Sequence, residues 1–258
     1  EANNDLKSLG LGGMFDNPKP VRLLQRMISL TTKPDQEHIV LDFFSGSGTT
    51  AHAVLEANIQ DGGNRRFICV QLPHPLSNPV QDNGVSLTTI ADLTAERIRR
   101  VAAALQTKRG NTNIDLGFRK YYLSNSNIQA WDPKPSNLEQ SLFDSVENIV
   151  KYRNESDVLS ELLLKLGLDM CVPVSKRSVD GREVFSVADG VLFACLTPSI
   201  DAQDVEVLAA SIVEWHRELS PSVSTTCVFL DNAFSDDVAK VNLTAILQQN
   251  GIKNVRSL

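Results

Sequence analysis

In the stretch VLDFFSGSGTTAHAVLEA, residues 40–57, an apolar run reaches a carboxylate, Asp42, and passes through Gly46 and Gly48 into a helical pattern opened by Thr49 and Thr50. Glycine removes the side chain where a tight turn must let a ligand approach the backbone, and the helix N-terminus that follows offers unpaired N–H groups and the positive end of its dipole. Such a turn prefers an anion, either a pyrophosphate or the carboxylate of an amino-acid-like ligand. Asp42 stands at the carboxyl end of the run, where ligands collect in open α/β sheets, and a carboxylate there suits an ammonium group. Gln71, at the end of the next apolar run RRFICVQL, offers an amide to a diol.

Read literally, GSGTTA fits the G-x-G-x-x-A form of the dinucleotide fingerprint. A nicotinamide dinucleotide site places Asp or Glu at the end of the second strand, however, and here that position is Gln71. A ligand with carboxylate, ammonium, ribose and adenine matches S-adenosylmethionine better than NAD.

The elements that must hold these residues follow from periodicity. NPKPVRLLQRMISLTT sets Pro20 where a first helical turn tolerates it, then Leu23, Leu24, Met27 and Ile28 at three- and four-residue spacing, an amphipathic helix. Ile39, Val40 and Leu41 form the continuous apolar run of a buried strand, and TTAHAVLEAN is the helix of a βαβ unit that RRFICVQL closes. TTIADLTAERIRRVAAALQ is helical, with Ile90, Leu93, Val101 and Leu105 along one side, and FRKYYLS reads as a strand. From about Gln129 the pattern loosens through WDPKPSN. Beyond it, SDVLSELLLKLG is a helix capped by Ser156, EVFSVADGVLFACL a hairpin about Asp189-Gly190, and residues 190–258 a βαβαβ unit with Ser235 capping its last helix. The expected architecture is α/β, an incomplete Rossmann-like part-domain over residues 1–130, a linker over 131–155 and a smaller α/β domain over 156–258.

The 258-residue chain is 42% hydrophobic and 22% charged, ordinary for a globular protein, and no apolar run approaches the roughly 18 residues of a membrane span. A cytoplasmic protein is the simplest reading. The four cysteines lack the close spacing of a zinc site, so they read as buried thiols in a reducing compartment. Net charge is −6, unevenly spread: residues 61–134 hold ten Lys or Arg against six Asp or Glu, and residues 135–258 hold ten against eighteen. The first stretch suits proximity to a polyanion, while the second is ill suited to nonspecific nucleic-acid binding.

Asn17-Pro18-Lys19-Pro20, followed by a helix and then by Asp42-Phe43-Phe44-Ser45-Gly46-Ser47-Gly48-Thr49-Thr50, resembles adenine-specific DNA methyltransferases whose cofactor motif follows their catalytic motif. Downstream, RRFICVQLPHP, TTIADLTAERIRRV, LGFRKYYLSNSNIQAWD, LLLKLGLD and FLDNAF are similar to the last part of the modification subunit of type III restriction-modification systems. The resemblance implies an S-adenosylmethionine site in which Asp42, Phe44, Gly46, Ser47, Gly48, Thr49 and Thr50 line the methionine end, Gln71 holds the ribose and the Lys19 region closes over it. Phe44 fits a core position equally well, Lys19 a solvent-exposed one, and His52 a packed histidine rather than a catalyst. Arg97, Arg99 and Arg100 suit DNA phosphate, a solvated helix face or intramolecular ion pairs.

The family's reaction needs an Asp/Asn/Ser-Pro-Pro-aromatic tetrapeptide that grips a base flipped out of the duplex. The sequence contains no such tetrapeptide: WDPKPS at Trp131 separates its prolines and NPKP at Asn17 belongs to the cofactor side. The resemblance therefore implies a chain that carries half of a cofactor pocket, is inactive alone and lacks both the catalytic motif and the target-recognition region, which are expected upstream of Glu1. Expected partners are DNA, a second modification subunit in a homodimer and a restriction subunit. An assembly module without cofactor is the alternative, and an NAD-binding protein a third.

Overall fold

The structure, a computed structural model, describes residues 1–82, 85–107, 114–128, 149–150 and 152–258. They form two compact units, Glu1–Tyr121 and Tyr122–Leu258, each mixed α/β. Most of the expected linker, and Trp131 with it, lies outside the described residues.

In the first unit, α1 (Ala2–Ser8) precedes α2 (Val21–Thr31), and Pro20 stands at the N-cap of α2 in extended conformation. β1 (Ile39–Asp42), α3 (Thr49–Asp61) and β2 (Arg66–Cys69) make the expected βαβ unit, with β1 and β2 parallel and Asp42 opposite Cys69. α3 is buried nearly all round: Ala51, Ala53, Val54, Leu55 and Ala57 are inside, and its small residues let α2 and α4 come close. Burying Val54 and Leu55 contributes roughly 1.5–3 kcal/mol each.

The hairpin of β3 (Pro75–Asp82) with β4 (Val85–Thr89), which the sequence pattern does not announce, leads into α4 (Ile90–Gln106). Thr89 caps that helix with a capping box completed by Asp92. Leu93, Val101 and Leu105 are buried as expected. The expected strand at FRKYYLS is not formed. No neighbouring strand pairs with it among the described residues; Lys120 instead binds Asp92 at 2.9 Å, and Tyr122 and Leu123 are exposed.

The strand β1 is only half buried, contrary to the reading of its apolar run. Val40 and Phe67 face α2 and α3, whereas Ile39, Leu41, Ile68 and Val70 stand on the opposite face at 43–52% exposure. Parallel strands are ordinarily covered on both faces, and no element of this unit covers the second one among the described residues.

The second unit is a five-stranded sheet in the order β5 (Val174–Val179), β6 (Arg182–Val187), β7 (Leu192–Cys195), β8 (Thr226–Phe229), β9 (Asn254–Ser257). β5, β6 and β7 are antiparallel and β7, β8 and β9 parallel. The β6–β7 hairpin turns through Ala188, Asp189 and Gly190, all with positive φ, as the Asp-Gly pair foretold. α5 (Glu155–Lys165), α6 (Val205–Leu219) and α7 (Asp237–Gln249) supply apolar residues to its single core, in which Phe193 meets Trp215 edge to face at 5.4 Å. Two caps differ from expectation. Asn154, not Ser156, caps α5 through a box with Asp157, and Asp236, not Ser235, caps α7 by accepting from the Ala239 N–H. Asn154 stands two residues before Ser156 and Asp236 one residue after Ser235, and in each case the carbonyl or carboxylate oxygen, one atom further out than a serine hydroxyl, reaches the N3 amide.

Cys195 and Cys227 are buried, Cys69 is intermediate and Cys171 is exposed, so the last departs from the reading of all four as interior. No helix of the described residues is long and apolar enough to cross a membrane.

Candidate functional site

The turn between β1 and α3 is held from both sides. Gly46 and Gly48 have φ of +53° and +78°, a region that other residues enter at a cost. Above, Ser45 N–H donates to the Val70 carbonyl at 3.1 Å and Gly46 N–H to Gln71 Oε1 at 2.7 Å, tying the turn to the end of β2. Below, the Thr94 hydroxyl of α4 donates to the Gly46 carbonyl at 2.5 Å, and its methyl lies 3.0 Å from where a Cβ on Gly48 would be. Gly46 is crowded in the same way by the Phe15 ring, also at 3.0 Å.

Asp42 is ordered rather than free. Oδ1 accepts from the Phe44 N–H at 3.1 Å, and Oδ2 accepts from the Thr50 hydroxyl at 2.5 Å. Its carboxylate thus sits beside the start of α3. Gly48 is the N-cap of that helix, has no side chain to cap with, and leaves the Thr49 and Thr50 N–H groups without a partner among the described residues. An uncapped helix start is an anion site, and a carboxylate beside it is a cation site. The turn therefore pairs the two charges of a zwitterion within a few residues.

Beneath the turn lies an interaction that the sequence reading did not assign. Arg97 of α4 is fully buried. Its Nη1 donates to the Ser47 carbonyl at 3.3 Å, the Ser47 hydroxyl at 2.9 Å and the Thr49 hydroxyl at 2.9 Å, and its Nε and Nη2 face His52 Nδ1 at 3.4 and 3.2 Å. Burial pushes the guanidinium pKa down to about 10, against the attraction of Asp5 and Glu56. A DNA-facing role for Arg97 is excluded by this burial. Arg99 and Arg100 instead bind Glu96 at 3.3 and 2.8 Å on the same helix. The signal was present in the spacing: Arg97 lies four residues from both Leu93 and Val101, on the apolar stripe of α4.

The remaining residues fall as follows. Phe44 is 85% exposed, so it is no core residue. Lys19 is exposed and makes no ion pair among the described residues, while the neighbouring Pro18 is buried. The side chains of Ser47 and Thr49 point at Arg97, so what they can offer a ligand is backbone. Gln71 uses Oε1 for Gly46 and donates from Nε2 to the Leu72 carbonyl at 3.1 Å, leaving one N–H and one lone pair for a ligand. His52 is buried, with Nε2 3.2 Å from Glu56, the packed role expected of it. Cys69, behind Asp42, has its thiol pKa pushed up to about 12 by burial and by the Asp42 charge, which keeps it a neutral filler.

Residues 1–73 match the family model of an N6/N4 DNA methylase, and this segment contains every residue placed about the turn except those of α4. The modification subunit of the type III enzyme StyLTI from Salmonella typhimurium is 41% identical over 132 residues, 51% of this chain and 20% of that protein. The EcoP15I modification subunit of Escherichia coli is 30% identical over 224 residues, 86% of this chain and 32% of that protein. The chain resembles type III modification subunits. It also matches the type II methyltransferase M.KpnI of Klebsiella pneumoniae, 35% identical over 101 residues. The chain spans between a fifth and a third of the length of these curated relatives.

Proposed function

We propose that this chain forms the S-adenosylmethionine-binding part of a site-specific DNA adenine-N6 methyltransferase of the type III modification kind, acting on DNA in the cytoplasm. The observation that carries this reading is the pairing of the ordered Asp42 carboxylate with the uncapped start of α3 across a glycine turn. Asp42 would hold the ammonium of the methionine moiety, and the N–H groups of Thr49 and Thr50 its carboxylate. Gln71 would take the ribose hydroxyls with its remaining donor and acceptor, Phe44 would lie against the ligand, and Lys19 would close over it. The cofactor supplies an electrophilic methyl group on a sulfonium. Residues of this chain hold and orient it, and none described so far is placed to grip adenine.

The Pro-Pro-aromatic tetrapeptide and the target-recognition region would come from further polypeptide. The bare face of β1 and β2 supports this division, because Ile39, Leu41, Ile68 and Val70 form an apolar surface next to the site. A second modification subunit and a restriction subunit are the partners this reading calls for, and the acidic second unit is the part suited to protein contact.

The test is calorimetric titration of the chain with S-adenosylmethionine and S-adenosylhomocysteine, with NAD as control. Binding of the first two, abolished by Asp42→Ala, is the expected result. Binding of NAD instead overturns the assignment, and transfer of labelled methyl to DNA by the chain alone overturns the division of labour.

A further inference from the structure

Arg97 is a charged side chain with no exposed surface, and the acceptors it touches are neutral: a carbonyl, two hydroxyls and an imidazole nitrogen. No carboxylate makes an ion pair with it among the described residues. Burying a cation on such terms is costly, and a buried charge held beside a ligand-shaped turn is a candidate for a role there. Its place is specific. The three acceptors on Ser47 and Thr49 bracket Gly48, the residue at which the turn enters α3, so the guanidinium lies directly under the backbone that bears the unpaired N–H groups.

The hydrogen bonds also fix what lies behind it. A guanidinium N–H only donates, so His52 Nδ1 must present its lone pair and the ring proton must sit on Nε2. Nε2 faces Glu56 Oε1 at 3.2 Å, and Glu56 Oε2 in turn accepts from Gln25 of α2 at 2.7 Å. A continuous polar chain therefore runs from the turn through Arg97, His52 and Glu56 to α2. Its negative end is one histidine away from Arg97 and its positive end is under the turn.

We propose that Arg97 is a positioning residue for the ligand site: it fixes the Ser47–Gly48–Thr49 backbone and supplies a buried positive charge that favours the carboxylate of an amino-acid-bearing ligand. This rests on the methyl-donor reading above and adds to it the source of selectivity for the anionic end of that ligand. The helix dipole alone contributes about half a charge there, and the guanidinium adds a full positive charge beneath the same N–H groups. Thr94, one turn earlier on α4, braces the same segment through the Gly46 carbonyl. Two successive inward positions of α4 are thus given to one turn.

The test compares the 258-residue chain with its Arg97→Met and Arg97→Lys variants against two ligands, S-adenosylmethionine and its decarboxylated analogue. Arg97→Met should lose about tenfold more affinity for the first ligand than for the second, which corresponds to about 1.4 kcal/mol of attraction to the carboxylate. Arg97→Lys, which keeps the charge and loses the fork, should retain most of that preference while binding both ligands more weakly. Equal losses for both ligands in Arg97→Met would overturn the electrostatic role. A ligand-free measurement stands beside it: nitrogen-15 spectra of the His52 ring and of the amides of residues 46–50. In wild type the ring should show a bare Nδ1 and a protonated Nε2, and both sets of signals should move in the folded variants. Unmoved signals would overturn the positioning role. Should wild type bind neither ligand, the methyl-donor reading fails, while the spectra still decide whether Arg97 sets the turn.

Discussion

Adding one methyl group at Gly48 tests whether α4 shapes the turn. The residue has φ +78°, and an added Cβ would lie 3.0 Å from the Thr94 methyl and 3.3 Å from the Thr94 carbonyl oxygen. The left-handed conformation costs an alanine about 1 kcal/mol. Forcing a methyl against a packed neighbour adds about 1–2 kcal/mol, because the carbonyl belongs to a helix and cannot give way. Gly62, at the other end of α3, is the control: its φ is +70° and nothing lies within 4 Å of the added atom. Gly48→Ala should therefore destabilise the first unit by about 2–3 kcal/mol and Gly62→Ala by about 1 kcal/mol. Adding Thr94→Ser to Gly48→Ala removes the crowding methyl, keeps the hydroxyl that binds Gly46, and should recover part of the difference. Native-state amide exchange of α3 and α4 reports this unit separately from the second one. Equal losses for the two alanine variants would refute the claim that Thr94 packs under the turn.

Four further outcomes are expected. Glu161 of α5 accepts from the Ser126 hydroxyl and the Asn127 N–H, both at 2.5 Å; although burial opposes the shift, these bonds and Lys165 hold its pKa down to about 2. A depressed folded pKa gives stability that is present above the unfolded value, about 4.3, and is lost as pH falls toward 2. The stability gap between wild type and Glu161→Gln, followed by amide exchange at residues 126–128, should close over that window; a gap independent of pH would contradict it. Asp92→Ala should destabilise α4 by about 1 kcal/mol at neutral pH, as measured by amide exchange, since it removes the capping box and the Lys120 contact. Ile68→Gln, on the bare face of β2, should change the unfolding free energy of the first unit by no more than about 0.5 kcal/mol and raise the chain's solubility, whereas Val54→Ala in α3 should cost about 2 kcal/mol. A large loss in Ile68→Gln would mean that its face is covered.

Much of this protein was legible in local pattern. The strand, glycine turn and helix of residues 39–61 follow from an apolar run, two residues free to take positive φ and a run of helix formers, all short-range properties. The βαβαβ order of residues 192–257 follows from alternating periods in the same way. Asp42 could be singled out because its position at a strand end is itself a local fact. Caps were less legible, as Asn154 and Asp236 show, because several neighbouring polar residues satisfy the pattern and only the reach to one amide selects among them.

Tertiary structure decided what pattern could not. Apolar runs say that a strand wants cover, not whether cover is present, so the bare face of Ile39, Leu41, Ile68 and Val70 appears only when the neighbouring layers are placed. FRKYYLS has strand-forming residues, but a strand exists only beside another strand in register, and Lys120 binds Asp92 of α4 instead. Arg97 is the clearest case. The sequence places an arginine on the apolar stripe of a helix, open to solvent, phosphate or ion-pair readings, but cannot say what would surround it; folding brings α4 under a turn 48 residues away, from Thr49 to Arg97, and hydroxyl and carbonyl groups that are strangers in sequence become the lining that lets a buried charge exist.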